Sequence, residues 1–208
     1  MVAHKLQRMG INQNNDYKMK KCIFTIVAIA AIMLVGGCAK EKKWGEAERN
    51  KLREELRAYR DMIYLDNLAE AEFVDFSGDV VEAIEIDYPI YTTFVELPGR
   101  GDTVEVYVVS TIVEELNTDP HNLRNIFPYP QLVADGVLPA GLNHQAQRAF
   151  YDCLSHKIKR AYRTTSAFFD AITNGTQADS NKIADMQMQC AADLFDWGVE
   201  VDETIVIE

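Results

Sequence analysis

The chain has 208 residues, 48% of them hydrophobic and 25% charged, and its 21 basic side chains face 32 acidic ones for a net charge of −11. This composition excludes a disordered chain, a collagen-like repeat and a polytopic membrane protein. Its acidity argues against nucleic acid as a partner, because a phosphate backbone repels it. The length allows one domain, or one with an appendage.

Residues 1–18 are polar and carry no periodicity, which fits true initiation at Met19 better than a long leader. Met19-Lys20-Lys21 then precede 14 uncharged, mostly apolar residues, Cys22 to Val35, and the small pair Gly36-Gly37 stands before Cys38. A cationic start, a short apolar stretch and small residues at a cleavage point describe an export signal. Uncharged residues run from Cys22 to Ala39, the lower limit for a membrane-spanning helix, but the two glycines favour cleavage.

Val35-Gly36-Gly37-Cys38 resembles the lipobox of bacterial lipoproteins, with Val where Leu is usual. The resemblance covers residues 19–38 and implies removal of residues 1–37 and acylation of Cys38, which would anchor the chain to a membrane. Ala39 in place of Asp implies, by the lipoprotein sorting rule, the outer membrane, with the facing side open. Residues 38–43 are then the lipidated cysteine and a short tether, and residues 44–208 a single domain. The five tether residues 39–43 reach at most about 18 Å. No family resemblance is seen for residues 39–208.

Cleavage removes five basic side chains (Lys5, Arg8, Lys18, Lys20, Lys21) and one acidic, Asp16, leaving 16 against 31. The remaining charge is uneven: residues 61–142 hold 16 acidic side chains and only two basic ones, Arg100 and Arg124. Such a surface is either simply solvated or a face for a cationic partner or for divalent cations.

Within the domain, Leu52, Leu56, Tyr59 and Ile63 predict a helix over 44–65, and Asn67 with Glu70 suggests a capping box, so the stretch that Gly78 can end is either one long helix broken near Asp66-Asn67 or two helices. Ile84, Ile86, Tyr88 and Ile90 alternate with polar residues. Residues 91–97 and 103–109 are rich in β-branched and aromatic types, and Pro98 to Asp102 supply turn chemistry between them. They predict a β-hairpin over about 90–109. Four prolines between 117 and 142 forbid a long element there, although Phe127, Tyr129, Leu132 and Leu138 suggest a loop packed on the body. Apolar residues at helical spacing predict a helix over 143–173, and another from Asp179 or Ser180 to Trp197. Residues 199–207 read as a last strand. The expected fold is therefore α+β: amphipathic helices on a small antiparallel sheet formed by the hairpin and the C-terminal strand.

The chain carries no G-x-S-x-G, G-x-G-x-x-G, P-loop, H-E-x-x-H or C-x-x-C. A hairpin turning near residue 175 would leave Cys153 and Cys190 about seven residues out of register, so two buried free thiols are expected. Asp152, Cys153 and His156 share one helical turn, but a thiol on an apolar stripe is inert. His144 and His156 diverge around their helix and do not form a metal pair by themselves. Arg100-Gly101-Asp102 spells an adhesive tripeptide at the expected hairpin tip, where Gly and Asp also serve the turn. Glu85, Asp87, Glu96, Glu105, Glu114 and Glu115 would cluster on the strands, with Asp193, Asp196, Glu200 and Asp202 near the C-terminus. Most of them fit the wet face of a one-sided sheet. The sequence implies no cofactor, no metal and no catalytic residue; Cys38 is the one site residue. The preferred function is a lipid-anchored envelope lipoprotein whose acidic domain binds another envelope protein or a cationic ligand. The alternatives are an envelope hydrolase using paired carboxylates, or a calcium-dependent or adhesive surface module.

Overall fold

Apolar residues recur every third or fourth position through most of the chain, and helices result even where β-branched residues are dense. The structure, a computed structural model, describes residues 41–198. The export segment, Cys38 and the strand expected over 199–207 lie outside them. Among the described residues there are eight α-helices: α1 (Glu46–Leu56), α2 (Glu70–Asp87), α3 (Tyr91–Val95), α4 (Arg100–Thr118), α5 (Tyr129–Ala134), α6 (His144–Ala161), α7 (Thr165–Asn174) and α8 (Gln177–Phe195). Turns of 3₁₀ helix lie at Arg57–Tyr59, Leu65–Asn67 and Pro120–Asn125. The described residues contain no sheet; the one extended pairing is an isolated bridge between Lys43 and Ile90.

The α+β expectation is thus corrected to an all-helical fold. The expected hairpin is α3, a turn and α4. Val104, Val108, Thr111, Ile112 and Leu116 are all buried, a helical stripe over 13 positions. Alternation over residues 103–109 satisfies either period; the residues that follow satisfy only the helical one. β-propensity is context-dependent and yields to this burial. Residues 84–87, also read as alternating, continue α2, whose Phe73, Phe76, Val80, Val81 and Ile84 face the core. Gly78 does not end α2; Pro89 does, by disfavouring helical backbone at Tyr88.

Other boundaries follow local chemistry. The start of α2 is Ala69, whose N–H donates to Glu72 at 2.9 Å, while Asn67 donates to the Asn125 carbonyl instead of capping. The long helix expected over 143–173 is two helices. Tyr162 is extended, and the Thr164 hydroxyl accepts from Ala167 N–H to start α7. Thr176, not Asp179 or Ser180, caps α8, and the Asp179 carboxylate in turn accepts from Thr176 N–H at 2.8 Å. The proline-rich stretch packs as expected, with Leu132 and Leu138 buried.

The core joins α1 to α2, α2 to α4, α4 to α7 and α6 to α8. Cys153 and Cys190 form a disulfide between α6 and α8, with Cα atoms 5.9 Å apart. The expectation of free thiols fails because α7 intervenes. The register of α6 against α8 is set by a separate helix and the break at 162–164, not by a tight hairpin at 175. Residues 42–44 are stitched onto the body. Thr92 N–H donates to the Lys42 carbonyl, and Trp44 donates its indole N–H to the Tyr88 carbonyl at 2.7 Å. Trp44 also packs edge-on against Tyr91.

Candidate functional site

Helices α1 and α2 run antiparallel, held at one end by Arg49–Glu85 and near the other by Arg57–Glu70. Arg49 grips both Glu85 oxygens at 2.7 Å, and this bidentate bond holds the Glu85 carboxyl below its usual range. Between the helices lies a shallow groove of about 1030 Å³. Its apolar lining comes from Val74, Val81, Ile86 and Pro89. Val74 is 48% exposed and Ile86 is 72% exposed, unusual for residues on an otherwise well-packed helix. Asp75, Asp79 and Glu82 line the same groove, and none of the three is engaged in an ion pair or hydrogen bond. Gly78 lowers the floor midway along α2.

A second polar cluster lies inside the body. Tyr64 is fully buried with φ 86°, in the left-handed region that a bulky side chain rarely adopts. Its hydroxyl donates to the Glu115 carboxylate. Burial raises the Glu115 pKa, opposed by the Tyr64 hydrogen bond and reinforced by the nearby charges of Asp79 and Glu72. Burial likewise raises the Tyr64 pKa. Around them Arg124 bridges to Glu72 at 2.5 Å, and Asn122 donates to the Glu115 carbonyl at 3.0 Å. His121 stacks edge-on against Tyr151, and burial followed by Arg124 lowers its pKa. Tyr64 is the buried end of the cluster and Arg124 and Glu72 its solvent-facing end, and its bonds tie the loop at 120–125 to α2 and α4; this geometry makes it a structural tie. A smaller hollow of about 380 Å³ lies where α6 ends, lined by Asn117, Lys159, Tyr162 and Arg163.

The residues singled out by sequence are scattered, not assembled. Cys38 lies outside the described residues. Cys153 is in the disulfide, and the His156 ring Nδ1 bonds the Asp152 carbonyl at 2.8 Å, so Asp152, Cys153 and His156 form no nucleophilic unit. Arg100-Gly101-Asp102 opens α4 instead of capping a hairpin. Arg100 pairs with Glu55 and lies over the Phe94 ring, and the Gly101 carbonyl accepts from Tyr59, so the arginine of the tripeptide is engaged while Gly101 and Asp102 stay exposed. Of the expected strand carboxylates, Glu85 pairs with Arg49, Asp87 accepts from Tyr107 and Glu115 from Tyr64, while Glu105 and Glu114 are solvated on α4 and Glu96 is solvated in the turn after α3. Asp193 pairs with Lys157, and Glu200 and Asp202 lie outside the described residues. Among the described residues, no three His, Cys, Asp or Glu side chains converge as a metal site requires. No helix among them is long and apolar enough to cross a membrane.

Sequence reasoning missed the groove, because it assigned Ile86 to a strand and ended the helix at Gly78. The signal was present: Val74, Gly78, Val81 and Glu85 recur at helical spacing through the glycine. No protein-family model, curated protein or solved structure matches the chain.

Proposed function

We propose that this is a lipid-anchored envelope lipoprotein whose helical domain holds a partner and performs no catalysis. The observation that carries the binding role is the groove between α1 and α2, open to solvent, part apolar and lined with unpaired carboxylates. Groups that could do chemistry are engaged in structure: a thiol pair in a disulfide, His156 on a backbone carbonyl, Glu115 on a buried phenol.

The lipobox-like sequence ending at Cys38 supports the anchored placement. The Cys153–Cys190 disulfide is in keeping with it, because such bonds persist in oxidising compartments outside the inner membrane. Lys42 is the first residue held by the domain, through Thr92 and an ion pair with Glu48 at 2.5 Å. A lipid on Cys38 would therefore keep Lys42 within about 14 Å of the attachment point, four residues at full extension.

Metabolic labelling with a palmitate analogue tests the anchor. The wild-type protein is expected to take the label and fractionate with membranes. Cys38→Ser is expected to lose the label and appear in the soluble fraction. An unlabelled wild-type product found in the cytosol would remove the placement.

A further inference from the structure

We propose that the groove between α1 and α2 receives a cationic amphipathic helix from a partner polypeptide. This rests on the binding-domain reading above and names the partner's chemistry. The apolar face of the incoming helix lies on the exposed Val74 and Ile86, with the buried Val81 beneath them, and its cations face Asp75, Asp79 and Glu82.

Shape is the first argument. Two antiparallel helices present a trough into which a third helix packs, ridge into groove. Val74 to Ile86 spans 12 residues of α2, about 18 Å, which matches about three turns of an incoming helix.

Gly78 is the second. A glycine in mid-helix is less stable than alanine there. A Cβ built at Gly78 would meet only a guanidinium nitrogen of Arg53, at 3.8 Å, an ordinary contact. Nothing inside the molecule requires the glycine. Its effect is on the outside, where it deepens the groove between Val74 and Glu82.

Charge is the third argument and selects the partner. Arg49 is neutralised by Glu85, so Asp75, Asp79 and Glu82 outweigh the remaining cation, Arg53. The α2 wall of the groove belongs to the stretch 61–142, which is strongly acidic as well. A second copy of this chain would bring a like-charged surface, and an anionic leaflet would be repelled in the same way. A helix with lysine or arginine on one face and leucine on the other satisfies both halves of the groove.

The full-length protein in detergent micelles is titrated with a fluorescein-labelled amphipathic peptide of about 14 residues, long enough for the groove, with leucines on one face and lysines on the other. Anisotropy reports binding, and a scrambled peptide of the same composition is the control. Saturable binding of the amphipathic peptide alone is expected. Gly78→Leu fills the floor and is expected to weaken binding by at least about tenfold, with a melting temperature equal to or above the wild type. The triple variant Asp75→Asn, Asp79→Asn, Glu82→Gln is expected to weaken it about tenfold at low salt and to flatten its salt dependence.

Absence of saturable binding, equal binding of the scrambled peptide, or an unchanged Kd in Gly78→Leu would overturn the proposal. So would loss of peptide binding on transfer to phosphatidylcholine nanodiscs, which would assign the groove to the bilayer. Palmitate labelling is read separately. Labelled protein that binds no peptide defeats this inference alone, and unlabelled protein that binds it defeats only the anchor.

Discussion

Tyr64 and Glu115 show how one residue's environment sets its behaviour. A bulky side chain at positive φ costs about 1–3 kcal/mol unless the surroundings over-determine it. Here complete burial and the bond to Glu115 hold it in place. Glu115 is the less comfortable partner, because burial pushes its pKa up. A folded-state pKa above the unfolded value means that the folded state binds the proton more tightly. Its contribution to stability is therefore full below the ordinary glutamate range and declines as pH rises through the raised value. Glu115→Gln keeps an acceptor for the Tyr64 hydroxyl and carries no charge. The variant is expected to melt higher than the wild type at pH 7, and the difference should close below about pH 4, near the unperturbed glutamate value. Melting curves across this range test it; a constant difference at all pH values would show that charge burial is not the cause. Gly175 is the opposite case from Gly78. A Cβ there would stand 2.0 Å from the Ala171 carbonyl oxygen, so the chain must move to admit one. Gly175→Ala is expected to destabilise by about 1–3 kcal/mol, as overpacking does, measured by urea unfolding.

At the scale of elements, the break at 162–164 matters most. Had α6 and α7 been one helix, α8 would have returned along it from a turn at 175, with the cysteines out of reach. The extended backbone at Tyr162 and the cap at Thr164 make α7 a separate strut, and α8 then lies where Cys190 meets Cys153. The bridge closes a span of 37 residues, which in the chain-entropy account stabilises by about 4 kcal/mol. Cys153→Ala with Cys190→Ala is expected to lose a comparable amount, and reduction of the wild type should lower its denaturation midpoint to that of the double variant. Equal midpoints for reduced and oxidised wild type would show that the bridge contributes nothing. The same reasoning makes α8 the helix that loosens first on reduction, which hydrogen exchange resolves.

At the scale of the whole molecule, charge is the dominant feature. Residues 61–142 bring 16 acidic side chains together with two basic ones, and both basic ones are already paired, Arg100 with Glu55 and Arg124 with Glu72. Such an excess repels itself in the folded state. Raising sodium chloride from about 0.01 M to about 0.15 M shortens the screening length from about 30 Å to about 8 Å. The melting temperature is expected to rise by a few degrees over that range; a fall would mean that attractive ion pairs outweigh the repulsion.

Helical stripes with one dominant period were legible without any structure. Leu52 and Leu56 in α1, Phe150, Leu154 and Ile158 in α6, and Ile183, Met186 and Cys190 in α8 were expected on buried faces and are buried. A burial stripe of three or four turns is a property of local spacing, so these residues by themselves determined both the helix and its inward side. Three things were decided only by the tertiary structure. Residues 103–109 satisfy two periods at once, and the choice fell to helix because α4, which buries Val104 and Val108, packs against α2, while no neighbouring strand exists among the described residues to pair with it. The cysteine register followed from how α7 packs, since spacing along a chain does not specify how two helices slide past each other. The groove exists only where α1 and α2 lie side by side, because a concave surface belongs to a pair of elements and is written in neither one alone.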